Sequence, residues 1–310
     1  MNYKLHANRR VRLLLAAFAC CWCFSCDSRS PNKPPDAPAQ SASTSSSAAH
    51  AITVASLSPA ATDLILGMGA ADHLVGISDY DLDPPNMPRL PRVGAYQNTD
   101  WERLTDLHPS LIIVQIDPTR LPAGFRDRAA AIGASILDIH VENLADIETA
   151  LDQLGVALNQ TSNAAAAKNR MNARLDSVRN RVSADAPVPT LIALDERGTS
   201  AAGPGTFLDE ILTIAGGRNV LAGTSSHWPS IDKERLISLS PAAVIEMLPA
   251  ASPQVLSQAS DFWASLPEIP AVANHRTYQI TDTWALTPGI EVADLAEHLA
   301  KLLHPTEAKP

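Results

Sequence analysis

Short apolar runs alternate with amphipathic segments along most of this chain. Runs that lack strict polar alternation indicate strands covered on both faces, as in parallel sheets. They occupy residues 52–57, 74–78, 111–116, 135–139, 190–194, 242–247 and 277–280. Helix-like segments lie between them, at 60–68, 100–107, 125–132, 205–214 and 232–239. This alternation predicts an α/β fold with crossover helices.

One long segment interrupts the alternation. Residues 163–182 are rich in Ala and Arg and contain no Pro or Gly. Met171, Leu175 and Val178 recur at spacings of four and three on one helical face, and Asn163 is placed to cap the start. Such a helix spans about 30 Å. The sequence therefore predicts two Rossmann-like α/β lobes, residues 51–160 and 185–305, joined by an interlobe helix at 161–184.

A motif in the first half recurs 132 positions later. Asp100, Glu102, Arg103, Leu104, Leu107, Pro109 and Ile113 correspond to Asp232, Glu234, Arg235, Leu236, Leu239, Pro241 and Ile245. The Asp predicts a helix cap, the Leu pair a buried helical face, and the Pro a helix end before a strand. The repeat therefore predicts two similar lobes, and most of it is explained by structure alone.

The first 26 residues resemble an export signal. Four basic residues without an acid precede an apolar run at 13–24, which is too short to span a bilayer of about 30 Å. The alternative is a short membrane anchor that is retained. All four cysteines, Cys20, Cys21, Cys23 and Cys26, lie here. The setting of Cys26 resembles a lipoprotein cleavage box, with Cys20 and Cys21 as competing positions, and acyl chains there would anchor the protein to a membrane.

Residues 27–50 are dominated by Ser, Pro and Ala, so they predict a disordered tether after the signal. The whole chain carries a net charge of −9 although its first 26 residues are basic. The remainder is therefore strongly acidic, which argues against nucleic acid as a partner.

Four large aromatic residues stand in polar or turn-like settings rather than in apolar periodicity: Tyr80, Tyr96, Trp228 and Trp284. Loops at the carboxyl ends of strands carry ligand sites in open α/β sheets. These aromatics are therefore candidate ligand contacts, with loop packing as the alternative. Tyr96 and Trp228 each lie six positions before the repeated Glu.

The repeated acids, Glu102 and Glu234, have two interpretations. Acids in the first turn of a helix are stabilised by its dipole. One exposed acid per lobe is also suited to docking a two-fold partner with basic sockets.

Enzymatic motifs are weak. No nucleophile elbow or phosphate-binding loop is recognisable, and the segments 203–207 and 215–219 indicate helix start and stop signals. The histidines lack metal-ligand spacing, so we predict neither a catalytic residue, nor a metal site, nor a resident cofactor. His227, beside Trp228, is the best histidine for contacting a metal-bearing ligand, the alternative being an exposed loop residue.

These motifs together resemble a known family. "RLPRVGAYQNTDWERLTDLHPSLIIV", the long helix, "GPGTFLDEILTIAGGRNV" and "HWPSIDKERLISLSPAAVIEM" occur in that order. They resemble the periplasmic substrate-binding proteins of ABC importers with a helical interdomain backbone (class III), which take up cobalamin, haem and ferric siderophores. The segments around Tyr80, Tyr96, Trp228 and Trp284 are most similar to the vitamin B12-binding members.

The resemblance implies a binding protein without enzymatic activity, held in the periplasm or cell envelope. It implies that the four aromatics line a corrinoid cleft, and that Glu102 and Glu234 form salt bridges with a permease dimer that works with an ATPase. Gln115, Ile116 and Asp117 depart from the pattern, since the B12 binders tend to carry an aromatic there. The ligand is therefore expected to be cobalamin or a related corrinoid, with ferric siderophore or haem as the alternative. A secreted α/β hydrolase or metal-dependent enzyme, and a sensor or scaffold, are more distant alternatives.

Overall fold

A computed structural model of the chain describes residues 52–82 and 89–305. The predicted signal peptide, the lipidation of Cys26 and the tether all lie outside the described residues. The described parts belong to one compact unit that begins at residue 49. No helix in the described ranges is both long and apolar enough to cross a membrane.

The N-terminal lobe is built on a four-stranded parallel sheet. Its strands are β1 (Val54–Ser56), β2 (Leu74–Gly76), β3 (Leu111–Val114) and β4 (Ser135–Asp138), in the order β2-β1-β3-β4. Its helices are α1 (Pro59–Gly67), α2 (Trp101–Leu107), α3 (Phe125–Ala131) and α4 (Leu144–Ala157). All four residues of β3 are buried, because helices cover both faces of this central strand.

The long helix α5 (Thr161–Val182) follows the N-terminal lobe. Its buried residues, Ala164, Ala167, Met171, Leu175, Val178 and Val182, form one stripe. The prediction for Asn163 is wrong: the helix begins two residues earlier with Gln160 in the capping position, and Asn163 Nδ2 donates to Gln160 Oε1 at 2.7 Å. Thr161 and Ser162 extend the helix because they tolerate its first turn, where backbone N–H groups need no intrahelical partner.

The C-terminal lobe repeats the first sheet. Its strands are β5 (Val188–Ala193), β6 (Gly217–Asn219), β7 (Ala243–Met247) and β8 (Thr277–Ile280), all parallel, in the order β6-β5-β7-β8. Its helices are α6 (Phe207–Ile214), α7 (Lys233–Leu239), α8 (Pro253–Ala264), α9 (Pro270–Ala273) and α10 (Val292–Leu303). The second strand of each lobe lies at the edge beside the first, so the two lobes share one topology.

The apolar runs do not predict strand β6, and helices α4, α8, α9 and α10 were not predicted either. Gly216, with φ of 80°, ends α6 as the stop signal predicts, but residues 217–219 then pair with β5. A three-residue edge strand containing Gly and Arg carries no apolar pattern, so only its pairing partner reveals it.

The repeated motif forms the same local structure in both lobes. Asp100 and Asp232 cap α2 and α7 by accepting from the backbone N–H three residues later, at 2.9 and 2.8 Å. Leu104 and Leu236 are the buried residues of these helices. Both helices end in a residue with a left-handed backbone, so the repeat specifies a cap, a short helix and a turn into the central strand.

One apolar cluster extends from the N-terminal lobe through α5 into the C-terminal lobe. Polar contacts reinforce the same path: Arg174 of α5 forms ion pairs with Asp294 and Glu297 of α10 at 2.7 and 3.0 Å. The lobes are therefore joined by continuous packing, which positions their carboxyl-end loops against each other.

Candidate functional site

Two cavities lie between the lobes, where loops at the carboxyl ends of the strands meet. The first, about 370 Å³, is lined by Gln115, His140 and Glu142 from the N-terminal lobe and by Phe207, Trp228 and Leu286 from the C-terminal lobe. We call it the Trp228 cavity. Gln115 follows β3 and His140 follows β4. Its walls therefore come from the sheet edge that binds ligands in open α/β folds.

The second cavity, about 490 Å³, has predominantly apolar walls. We call it the Tyr80 cavity; its lining includes Asp63, Tyr80 and Asp81 from the N-terminal lobe and Pro249, Trp284 and Glu291 from the C-terminal lobe. Thr287 lines this cavity, while its neighbours Leu286 and Pro288 line the Trp228 cavity. The two cavities thus lie on either side of one short segment.

Tyr80 and Trp284 are brought together by the fold although they are far apart in sequence. Tyr80 lies in a turn after β2, where its N–H donates to Ser78 Oγ at 3.1 Å, and its side chain is 71% exposed. Trp284 lies in a short 3₁₀ helix, Thr283–Leu286, and its partly buried ring packs on the main apolar cluster. The Tyr80 ring is therefore open to solvent, whereas the Trp284 ring is held by packing.

Trp228 is held beside a contact between the lobes. Its neighbour His227 places Nδ1 2.5 Å from Glu142 Oε1, and the Trp228 ring is 45% exposed. His140 Nε2 lies 3.6 Å from Glu142 Oε2 and 3.3 Å from Asp146 Oδ2. His227 therefore contacts Glu142. The histidine that lines the Trp228 cavity is His140, which no sequence pattern identified as a candidate.

Tyr96 lies apart from the other three aromatics. It lines a cavity of about 220 Å³ within the N-terminal lobe, together with Trp101, Phe125 and Arg128. The rings of Trp101 and Phe125 meet edge to face, with centroids 4.9 Å apart. The aromatic candidates therefore occupy three cavities, and only Tyr80 and Trp284 share one.

Glu102 and Glu234 occupy matching exposed positions in the first turns of α2 and α7. Neither residue lines an interlobe cavity. Their placement suits both the helix-dipole and the docking interpretation, since each acid is near a helix N-terminus and open to solvent.

Three carboxyl groups line the Tyr80 cavity: Asp63, Asp81 and Glu291. Burial, and then the charge of Glu291, raises the pKa of Asp63 to about 7. Burial is also the main cause that raises the pKa of Asp81, and burial followed by the charge of Asp294 raises that of Glu291. No sequence motif marks these acids as a set, because they come from α1, a turn and the start of α10.

Gln115 occupies the position where the resemblance leads one to expect an aromatic residue. Its Oε1 accepts a hydrogen bond from Ser58 Oγ at 2.8 Å, and Ser58 also caps α1. The amide is therefore held at the carboxyl end of β3, where it presents a polar surface to the Trp228 cavity.

A further cavity of about 530 Å³ lies within the C-terminal lobe, lined by Glu246, Trp263 and His275 among others. The buried Glu246 accepts from Trp263 Nε1 at 2.7 Å. All of its lining residues come from one lobe, so it is separate from the interlobe region. Within residues 52–82 and 89–305, no three His, Cys, Asp or Glu side chains are arranged to hold a metal ion.

Comparison with known proteins places this geometry in a family. The family model described as periplasmic binding protein matches residues 54–283. A vitamin B12-binding protein of Yersinia pseudotuberculosis serotype O:3 (strain YPIII) is 25% identical over 220 residues, covering 71% of this chain and 77% of the relative.

Solved structures share the fold. The periplasmic vitamin B12-binding protein of Vibrio cholerae superposes with a TM-score of 0.67 at 22% identity, covering 83% of this chain and 98% of that protein. A periplasmic heme-binding protein of Pseudomonas aeruginosa superposes with a TM-score of 0.72 at 22% identity, covering 84% of this chain and 94% of that protein. This chain has two α/β lobes, each built on a parallel sheet, and one long helix that joins them. It belongs to the periplasmic binding protein family, whose members are substrate-binding components of ABC importers and not enzymes.

Proposed function

We propose that the protein captures cobalamin or a related corrinoid between its lobes and delivers it to a membrane permease that works with an ATPase. The observation that carries this proposal is that Tyr80 and Trp284, from opposite lobes, line one apolar-walled cavity. Aromatic faces on both sides suit a flat, partly apolar macrocycle, since such rings bury a large area with few rotatable bonds.

The size of the interlobe region supports a large ligand. The Tyr80 and Trp228 cavities measure about 490 and 370 Å³ and are separated only by the segment 286–288. Together they match the volumes of pockets that enclose ligands larger than an amino acid. Trp228 and Gln115 would contact the part of the ligand on the far side of that segment, and Tyr96 would contact a portion that extends over the N-terminal lobe.

Delivery is proposed to depend on Glu102 and Glu234. Both carboxylates are exposed at equivalent positions of the two lobes, which suits a partner with two equivalent basic surfaces. We further propose export through the segment 1–26 and attachment of lipid at Cys26, which would keep the loaded protein close to its permease.

Ferric siderophore or haem is the alternative ligand. The heme-binding protein of Pseudomonas aeruginosa superposes at least as well as the B12-binding protein of Vibrio cholerae. Fold similarity at this identity does not discriminate between ligands, so discrimination has to come from the residues that line the cleft.

Titration of the purified protein with cyanocobalamin, haemin and ferrioxamine tests the proposal. We expect cyanocobalamin to bind tightly by calorimetry and haemin to bind at least about tenfold more weakly. Absence of corrinoid binding at ligand concentrations up to about 10 µM, about −7 kcal/mol, would contradict the corrinoid proposal. Binding of haemin or ferrioxamine alone would instead support the alternative.

A further inference from the structure

The charge of the interlobe cavities is of one sign. Asp63, Asp81, Glu142 and Glu291 line them, and within residues 52–82 and 89–305 the other titratable groups at their walls are Tyr80 and His140. Among the described residues, no Lys or Arg lines either cavity. The sequence of residues 83–88, DPPNMP, contains no Lys or Arg.

The acids of the Tyr80 cavity are held in place by backbone groups. Asp63 Oδ2 accepts from the Ile290 N–H at 2.5 Å, and Asp81 Oδ2 accepts from the Ser78 N–H at 2.7 Å. Arg92 lies beside this turn: its guanidinium donates to the carbonyl oxygens of Ser78 and Asp81, both at 2.7 Å, and its charge lowers the pKa of Asp81. The carboxylates of Asp63 and Asp81 are therefore held in place by backbone N–H groups, and Arg92 offsets part of the negative charge at Asp81.

A cavity lined by carboxyl groups distinguishes macrocyclic ligands by the polar groups at the edge of the macrocycle. A carboxylate entering this space meets like charges in a partly desolvated site, whereas an amide or ammonium N–H finds acceptors. Burial raises the pKa values of Asp63, Asp81 and Glu291, and the charge of Glu291 adds to the shift of Asp63, so these carboxyl groups stand in a partly desolvated wall.

We infer that Asp63, Asp81 and Glu291 form a charge filter that admits macrocycles bearing amide or cationic arms and rejects those bearing carboxylates. This inference rests on the proposed function, because it takes the interlobe cleft as the ligand site. The charge filter specifies which side groups of the macrocycle are accepted: primary carboxamides or ammonium groups, which donate hydrogen bonds to the carboxyl groups. It also gives a physical reason for a preference against porphyrins that carry free propionates.

A pair of corrinoids with one ring tests the filter. Dicyanocobinamide carries amide arms, and dicyanocobyrinic acid carries carboxylates at the corresponding places. By calorimetry at pH 8, we expect the amide form to bind at least about 100-fold more tightly than the acid form, because close like charges oppose binding strongly.

Neutral variants identify the residues responsible. The triple variant Asp63→Asn/Asp81→Asn/Glu291→Gln removes three charges while keeping side-chain acceptors. In this variant the dissociation constants of the acid form and the amide form should differ by about tenfold or less. The matched control Asp72→Asn/Asp261→Asn/Glu268→Gln removes the same charges from exposed positions outside both cavities. It should keep the wild-type ratio, and circular dichroism verifies the fold of both variants.

The outcomes separate the two proposals. If neither corrinoid binds, the proposed function fails. If both corrinoids bind wild-type protein equally, the corrinoid proposal stands and the charge filter is wrong. If the control variant reduces the difference in affinity between the two corrinoids as much as the triple variant does, the selectivity comes from the overall charge of the protein and not from Asp63, Asp81 and Glu291. The wild-type comparison remains decisive even if the triple variant does not fold.

Discussion

The carboxylate of Asp63, in α1 of the N-terminal lobe, accepts a hydrogen bond from the backbone N–H of Ile290 in the C-terminal lobe, over 2.5 Å. The two residues are 227 positions apart. Gly289, next to Ile290, allows this approach: a Cβ there would collide with the Asp63 carboxylate. The contact joins the lobes at the wall of the Tyr80 cavity, so it couples interlobe packing to the ligand site.

Stability should depend on pH through Asp63. Its pKa is about 7 in the folded protein and 3.8 ordinarily, so the folded state binds more protons than the unfolded chain between these values. The stability that Asp63 contributes is fully present below about pH 4 and is lost as pH rises through about 7.

Asp63→Asn isolates this effect, because Asn retains an acceptor for the Ile290 N–H without the titratable group. Between pH 5 and 8, urea unfolding should show a loss of stability that is larger in wild type than in the variant by an amount on the order of 2 kcal/mol. An equal pH dependence in both proteins would show that burial of Asp63 does not control stability.

Gly67→Ala should destabilise the interlobe contact. A Cβ at Gly67, the last residue of α1, would lie 2.8 Å from Ile290 Cγ2. We expect a loss of about 1–3 kcal/mol from overpacking, which outweighs the roughly 0.5–1 kcal/mol gained by replacing Gly in a helix. Thermal or urea unfolding measures the difference.

Gly223→Ala is the matched control, since a Cβ at Gly223 meets no atom within 4 Å. It should leave stability within about 0.5 kcal/mol of wild type. A Gly67→Ala protein as stable as this control would mean that the lobes separate at this point without cost.

The aromatic residues should contribute unequally to ligand binding. Trp284→Ala and Tyr80→Ala each remove one wall of the same cavity, and each should weaken cyanocobalamin binding by about tenfold or more. Tyr96→Ala should cost less, because Tyr96 lines a cavity inside the N-terminal lobe. A loss for Tyr96→Ala equal to that for Trp284→Ala would contradict this ranking and show that the contact at Tyr96 is as important as the walls of the Tyr80 cavity.

Reversing the charges of Glu102 and Glu234 should abolish transport without affecting capture. In the variant Glu102→Lys/Glu234→Lys, ligand affinity should stay within about twofold, because neither residue lines an interlobe cavity. Uptake of radiolabelled corrinoid into cells should be lost, since repulsion replaces attraction at both sites. The exposed pair Asp72→Lys/Glu268→Lys serves as control; unchanged uptake in the Glu102/Glu234 variant would contradict the docking role.

Local patterns were sufficient to predict much of the fold. Apolar runs marked the central strands β3 and β7, whose residues are all buried. The repeated Asp, Leu and Pro marked α2 and α7, because caps and helix ends depend on neighbouring residues only. The short strand β6 could not be predicted from an apolar run, because a three-residue edge strand that contains Gly and Arg does not need one.

The candidate site was only partly predictable. Turn-like settings drew attention to Tyr80, Trp228 and Trp284, and all three line cavities between the lobes. Nothing in the sequence linked Asp63 to Glu291 or Glu142 to His227, because each pair is assembled from different lobes. The separation of Tyr96 from the other aromatics was equally invisible, since distance across a fold is not encoded in local spacing.

By itself the sequence determined the two α/β lobes, the long helix and the caps of the repeated unit, because each depends on periodicity or on contacts within a few residues. The tertiary structure alone decided which side chains meet between the lobes and the sign of the charge they present. Packing of α5 against α10, and of Gly67 in α1 against Ile290, brings distant carboxyl groups to one cavity. There, burial raises the pKa values of all three acids, and the charge of Glu291 adds to the shift of Asp63.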